Sequence, residues 1–434
     1  MENTRYAVGV DLGTNEVKVV VAAKPAASLN QNQLNETSRN LPNPTIVGVG
    51  LAKNSGMRKG TIVNLDKTAE ALDKALETAE QMSGFAIDFA TVNINGSHIL
   101  GLASQGVIAV SGGQIGQEEI DRVTNAATVV QLPANREILD ITPHSYKLDS
   151  QDNIRDPFGM TGVRLEVNAF ILTALAPHLR NLERVLEMTS LKPHHVAVGS
   201  LAAAGIALSD EQRENGVTLI DIGAATTNIA VFEEGDLIHC AALPVGSHNI
   251  TNDLAIGLKV DLAVAEAVKL QHAVAAPELR RGNHDQVTVK LDAPAGKFDA
   301  VSPDKPSREM TFDVNLIDEI VEARLAEIFE LINRELKKVK KNANLPGGAV
   351  LTGGGANLRG LADYAREVLS MSTHVAKMPN FAGMSDKTSN PRFATALGLT
   401  LIDLNNLPAE NVSPKGKSWL ANAKHNFGKL FSRK

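Results

Sequence analysis

A turn of the form Asp-apolar-Gly closes a pair of strand-like runs twice in this chain, and the second copy begins 210 positions after the first. The first copy reads Tyr6-Ala-Val-Gly-Val10, Asp11-Leu-Gly-Thr-Asn15 and Val17-Lys-Val-Val-Val21. The second reads Val217-Thr-Leu-Ile220, Asp221-Ile-Gly-Ala-Ala-Thr-Thr227 and Asn228-Ile-Ala-Val-Phe232, with a further run over 237–243. β-Branched runs flanking a polar, glycine-bearing turn predict β-hairpins. Two such hairpins so far apart predict a duplicated sheet unit in an α/β protein, not a short-period solenoid.

The rest of the chain alternates helical and strand-like patterns. Ala69, Leu72, Leu76, Ala79 and Met82 fall at helical spacing after a candidate cap at Asp66 and before Gly84. Residues 86–165 mix strand-like runs with an acid-rich helix near Glu118–Val130, the pattern of an inserted α+β subdomain. Residues 172–190, Ile250–His272 and Ile317–Val339 read as helices. Residues 28–43 and 405–416 are low-complexity stretches expected as a loop and a linker. The insertion 86–165 thus separates 1–85 from 166–204, and the linker 405–416 separates a terminal segment 417–434 from the rest.

A nucleoside triphosphate needs backbone N–H groups near its phosphates, small hydroxyls, and carboxylates that hold Mg²⁺ through water. The first turn offers Asp11, Gly13, Thr14, Asn15 and Lys18, and the second offers Asp221, Gly223, Ala224, Ala225, Thr226 and Thr227. Either turn alone also reads as an ordinary hairpin bend. A third element changes the balance: the strand Ala349–Thr352 runs into Gly353, Gly354, Gly355 and Asn357 and then a helix, which suits phosphate or ribose. Neither a Walker motif nor a dinucleotide-binding Gly-x-Gly-x-x-Gly follows the first strand.

These residues resemble the superfamily of actins, heat-shock chaperones and sugar kinases, and within it the FtsA family of bacterial cell-division proteins. The more specific signal is the order Gly56-Met-Arg-Lys-Gly60, Asn93-Ile-Asn-Gly-Ser97, Asp156-Pro-Phe-Gly-Met160, Pro244-Val-Gly246 and Leu351-Thr-Gly-Gly-Gly355, with the insertion and the tail. The resemblance spans roughly residues 5–404 plus the tail. It implies an actin-like fold of two lobes with duplicated ribonuclease-H-like sheets, the core of one from 1–85 with 166–204 and of the other from 205–249 with 346–404, whose smaller subdomain is 250–345. It also implies ATP with Mg²⁺ between the lobes, Asp11 and Asp221 acting on the metal through water. Glu266 and Lys269 are similar to family residues near the ribose and base; a solvated i,i+3 ion pair reads equally well. Where related ATPases carry a water-positioning Glu or Gln, this chain has Gly199. No catalytic residue is therefore assigned, and turnover is expected to stay below about 1 s⁻¹.

The terminal segment has its own signature. Lys415–Lys434 holds six cations and no acid, so the remaining residues carry the net charge down from −6 to −12. On a helix, Trp419, Leu420, Ala423, Phe427, Leu430 and Phe431 share an arc of about 120° bordered by Lys417 and Lys424, the pattern of a helix lying in an anionic membrane surface. The resemblance implies a filament-forming protein at the cytoplasmic face of the membrane at the division site, tethering the tail of FtsZ and recruiting later divisome proteins. A related pilus-assembly scaffold and a soluble sugar kinase are the alternatives. The acidic body gives no reason to expect nucleic acid. The lone Cys240 cannot form an internal disulfide and fits a reducing compartment. No run is long and apolar enough for a transmembrane helix, and the start lacks a secretory signal pattern.

Overall fold

The computed structural model describes residues 4–25, 44–129, 132–133, 135–279, 285–291, 308–339, 345–383 and 385–406. The expected loop over 28–43, the linker from 407 onward and the terminal helix lie outside the described residues. Strands β1 (Thr4–Leu12) and β2 (Glu16–Pro25) form the antiparallel hairpin the pattern predicts, with Asp11 opposite Lys18. Strand β3 (Thr45–Lys53) pairs with β2, and the short hairpin β4 (Met57–Arg58) and β5 (Thr61–Ile62) turns on Lys59 and Gly60, both at positive φ. Helix α1 (Leu65–Ser83) buries Leu72, Ala75 and Ala79 against β3. A Cβ at Gly50 would stand 1.8 Å from Ala75 O, so only glycine admits the helix this close. The cap is Asn64, accepting from Lys67 N, while Asp66 lies in the first turn; Gly84 closes the helix in the left-handed region as expected.

Strand β6 (Phe89–Ile94) pairs in parallel with β1, so it belongs to the first sheet and not to the insertion. The insertion comprises β7 (Leu100–Ala109), α2 (Gln117–Ala127), β8 (Arg136–Leu148), β9 (Gln151–Ile154) and β10 (Arg164–Leu175). Its four strands are ordered β7-β10-β8-β9, with α2 sealing a core of Ile115, Val123, Ile141, Leu165 and Ile171. The sheet runs through Leu175, past the expected limit at 165. The apolar run 170–175 carries no period that separates strand from helix, and the helix expected from 172 starts later, as α3 (Ala176–Met188).

Strand β11 (Lys192–Val198) completes one edge of the first sheet and carries His194 and His195. His194 Nδ1 lies 2.8 Å from Asp403 Oδ1, and its ring stacks on Phe89. Helix α4 (Gly199–Ala207) is buried nearly all round and passes beneath both sheets; α5 (Asp210–Asn215) follows, capped by Ser209. The second lobe repeats the first: β12 (Val217–Ile222), β13 (Thr227–Glu233) and β14 (Asp236–Leu243) form the matching meander, with Cys240 buried in β14.

The single helix expected over 250–272 is two, α6 (Ser247–Leu258) and α7 (Leu262–His272), separated at Lys259 with φ 56°. Strands β15 (Gln286–Leu291) and β16 (Arg308–Asp313) pair, and α8 (Val314–Lys338) buries Ile317, Val321, Leu325, Ile328 and Ile332. Strand β17 (Ala349–Thr352) lies parallel to β12, followed by a 3₁₀ turn over 354–357, α9 (Leu361–Leu369) and β18 (Thr373–Val375). The second sheet thus runs β14-β13-β12-β17-β18. Five neighbouring strands of the first, β3-β2-β1-β6-β11, follow the same order.

The end of the described chain returns to the first lobe. Strand β19 (Ala382–Gly383) pairs with β3, α10 (Ser385–Thr388) follows, and α11 (Ala394–Asn406) packs on β1 and α4. Residues 394–404 are therefore not part of the second lobe's core. Asp403 accepts from Val8 N and Thr91 Oγ1, both at 2.8 Å, and a Cβ at Gly9 would meet Ala396 O at 2.4 Å. Among the described residues no helix is long and apolar enough to cross a membrane.

Candidate functional site

The two hairpin turns face each other across a cleft of about 550 Å³. Asp11 and Asp221 stand at the same place on β1 and β12, and both are buried. Their cross-strand partners also correspond: Lys18 opposite Asp11, and Asn228 opposite Asp221. The turns share one hydrogen bond, from Gly13 N to Glu16 O at 3.1 Å and from Gly223 N to Thr226 O at 2.8 Å. The sequence duplication is thus a duplication of site geometry.

The two carboxylates are treated differently. Asp11 Oδ2 accepts from Lys18 Nζ at 2.9 Å, and Oδ1 accepts from Asn93 Nδ2 at 2.7 Å. Asp221 Oδ2 accepts only an amide, Asn228 Nδ2 at 3.1 Å. Burial pushes the Asp221 carboxyl up to about 6, with the nearby Asp11 charge adding to the rise and the Asn228 bond and Lys18 opposing it. Among the described residues a lysine pairs with Asp11, and none pairs with its mirror image Asp221. A hard divalent cation bound through water suits that donor set.

Asp11, Gly13, Thr14, Asn15 and Lys18 all line the cleft, as do Asp221, Gly223, Ala224 and Thr226. Thr14 Oγ1 accepts from Gly60 N, and Asn54 Nδ2 donates to Gly13 O, which fixes the first turn from β3 and the β4–β5 hairpin. Two expected residues are elsewhere. Thr227 is fully buried, its hydroxyl bound to Val245 O at 2.9 Å, so it shapes the second turn without facing the cleft. Ala225 lines a neighbouring cavity with Arg58, Lys59 and His248.

Beside Asp221, Gly353 (φ 84°), Gly354, Gly355 and Asn357 form one wall of the cleft. A Cβ at Gly353 would lie 2.3 Å from Asp221 Oδ1. Asn357 and Asn390 exchange side-chain hydrogen bonds at 3.0 and 3.1 Å and hold this wall to the segment before α11. Glu266 and Lys269 form an ion pair at 2.8 Å and line the cleft, with the lysine largely buried. Burial pushes the Glu266 carboxyl up, but hydrogen bonds from Lys269 and Thr251 and the lysine charge outweigh it, leaving it below its ordinary value. Ile250, Leu270, Ala273, Leu325, Leu358 and Leu361 add apolar surface to the cleft. Charged, glycine-lined surface and apolar surface in one cleft match a phosphorylated ligand with an aromatic base.

Sequence reasoning misses Asn93, Asn228, Gly60, Asn390 and Arg392. Asn228 carries a signal: it follows Asp221 by the same seven positions that separate Lys18 from Asp11. Asn93 is visible only within the motif 93–97, without a role of its own. Arg392, 3.8 Å from Glu16 across the cleft, carries none.

Two lobes with the same strand order, meeting over mirrored aspartate turns, define the actin-like class of α/β proteins. Solved structures agree at the level of fold. The PilM–PilN type IV pilus biogenesis complex matches with a TM-score of 0.62 at 16% identity, over 91% of this chain and 97% of that one. MreB5 of Spiroplasma citri bound to ADP matches with a TM-score of 0.52 at 13% identity, over 92% and 97%. Sequence narrows the class. The family model for the cell division protein FtsA matches residues 218–398, and that for the SHS2 domain inserted in FtsA matches residues 96–173. The chain is 31% identical to the FtsA of Pseudomonas aeruginosa over 404 residues (93% of this chain, 90% of that protein). It is 36% identical to that of Bacillus subtilis over 401 residues (92% and 83%). The chain belongs to the FtsA family of cell division proteins. The family model for the insertion starts after β6 and ends within β10, in agreement with the sheet pairing.

Proposed function

We propose that this chain is a nucleotide-dependent division scaffold: it binds Mg–ATP in the cleft, assembles into filaments on the cytoplasmic face of the membrane and holds FtsZ filaments there. The observation that carries the reading is the mirrored pair Asp11 and Asp221 across one cleft, each at the end of a central strand, with a lysine paired to Asp11 and, among the described residues, none to Asp221. In this reading the backbone at Gly13–Asn15 and Gly223–Thr226 cradles the phosphates, and Lys18 neutralises charge at the first turn. The carboxylates hold Mg²⁺ through water, and the metal supplies charge neutralisation for the phosphates. Gly353–Gly355, Asn357, Glu266 and Lys269 receive the nucleoside. Turnover is slow because Gly199 brings no side chain to the reacting water, and the nucleotide acts chiefly as a ligand that sets lobe closure and assembly.

Membrane attachment rests on the terminal segment, whose apolar arc from Trp419 to Phe431 is bordered by Lys417 and Lys424. One such helix binds weakly, while a row of them along a filament binds strongly through effective concentration. The FtsZ tail is assigned to the 250–345 subdomain, and self-interaction and later divisome proteins to the inserted sheet. Electron microscopy on anionic lipid monolayers with Mg–ATP tests this directly. Ordered arrays are expected from the full chain and none after removal of residues 415–434; equal coverage of the lipid by both forms would contradict the reading.

A further inference from the structure

We propose that Asn95 positions the attacking water in this cleft, standing in for the side chain that Gly199 lacks; the proposal rests on the nucleotide reading above. Asn95 follows the last residue of β6, two positions after Asn93, so the alternation of a strand carries both to the same side. Asn93 donates to Asp11 Oδ1 at 2.7 Å, which makes that side the cleft side, and Asn95 itself lines the cleft.

Its amide occupies the space above the start of α4. A Cβ built on Gly199 would stand 2.6 Å from both Nδ2 and Oδ1 of Asn95. The position that carries a water-positioning side chain in related ATPases is therefore filled here by an amide arriving from the neighbouring strand. The surrounding turn is fixed at the phosphate end. Asn95 O is bound to His98 Nε2 at 3.0 Å. A Cβ on Gly60 would lie 3.0 Å from Gly96 Cα and 3.1 Å from the Thr226 methyl of the second turn. Among the described residues Asn95 Oδ1 has no hydrogen-bond partner, and it is buried. A buried acceptor without a partner costs free energy, and a turn of the amide toward the cleft that Asn95 lines brings it to a water beside the phosphates.

In the step this implies, the water oxygen bonds to the γ-phosphorus as the bond from that phosphorus to the β–γ bridging oxygen breaks. One water proton is held by Oδ1 during the approach, and one proton passes to solvent as ADP and inorganic phosphate form. An amide orients the water but cannot take its proton, so the proton leaves to solvent.

The test uses the full chain with Mg–ATP, calorimetry for affinity and single-turnover phosphate release for chemistry. Asn95→Ala is expected to bind within about threefold of the unsubstituted chain and to release phosphate about 100-fold more slowly, the scale of a lost positioning group. Gly199→Ala, which adds no polar atom but displaces the amide, is expected to slow release while leaving affinity intact. Asn95→Ala combined with Gly199→Gln supplies the amide from the start of α4 instead and is expected to regain at least about tenfold of the loss. Normal release by Asn95→Ala overturns the proposal. So does a lowered melting temperature with no rescue, because Oδ1 then serves only structure, and so does binding without any release by the unsubstituted chain. Failure of every form to bind Mg–ATP is a different result, which removes the nucleotide reading itself.

Discussion

Replacing Asp221 with asparagine separates what the cleft costs the empty protein from what it gains on binding. Burial pushes the Asp221 carboxyl up to about 6 from its ordinary 3.8, the Asn228 amide and Lys18 offsetting only part of the rise. A shift of that size corresponds to about 3 kcal/mol between the charged and neutral forms. The sign follows from linkage: a carboxyl whose folded value is raised holds its proton more tightly in the folded state. Below about pH 4 the group is neutral in both states and costs nothing; the cost grows between 4 and 6 and is complete above 6. Asp221→Asn removes a charge that the empty protein carries at a loss. Urea unfolding without nucleotide is expected to show the variant more stable than the parent at pH 7.5, by up to about 3 kcal/mol, with the gap closing near pH 4. Asp140 and Asp236, both pushed up to about 7 by burial, add the same trend to both proteins and cancel in the comparison. Mg–ATP should reverse the order at pH 7.5, stabilising the parent and not the variant. An Asp221→Asn protein that is less stable than the parent when empty, or equally protected by Mg–ATP, refutes the reasoning.

Lys18→Met strips Asp11 of its buried counter-ion, and breaking such a pair costs about 3–5 kcal/mol; chemical denaturation reads the loss, and Mg–ATP affinity should fall with it. Gly353→Val places branched atoms against Asp221 Oδ1 at a backbone conformation that β-branched residues avoid, so calorimetry should detect no Mg–ATP binding while circular dichroism stays unchanged. Trp419→Glu with Phe427→Glu puts two charges on the apolar arc of the tail and should abolish co-sedimentation with anionic vesicles, while nucleotide binding persists.

Short, repeated strings of residues are the most legible part of this chain. Asp11-Leu-Gly and Asp221-Ile-Gly declare both hairpins, and Gly353-Gly-Gly declares one wall of the cleft, because each turn demands local chemistry at fixed offsets. The features that are not legible are decided by distant partners. Strand β6 reads as an apolar run, and nothing within Phe89–Ile94 says that its neighbour is β1 and not the inserted sheet. Helix α11 returns to the first lobe because Gly9 and Gly398 admit its backbone and Asp403 meets Val8 and Thr91, pairings separated by hundreds of residues. Thr227 has the sequence position of a phosphate ligand, yet strand alternation turns it into the protein to bind Val245 O. The Asn95 amide over Gly199 is hidden for the same reason: the end of β11 shows an absent side chain, and only the adjacent strand shows what fills its place.

Isothermal titration of Mg–ATP into the full chain and into an Asp11→Ala, Asp221→Ala double variant tests the central claim most directly. Saturable binding of one nucleotide per chain is expected from the parent and none from the variant, with circular dichroism matched between them. Absence of heat from the well-folded parent, or the same binding by both proteins, would contradict the account.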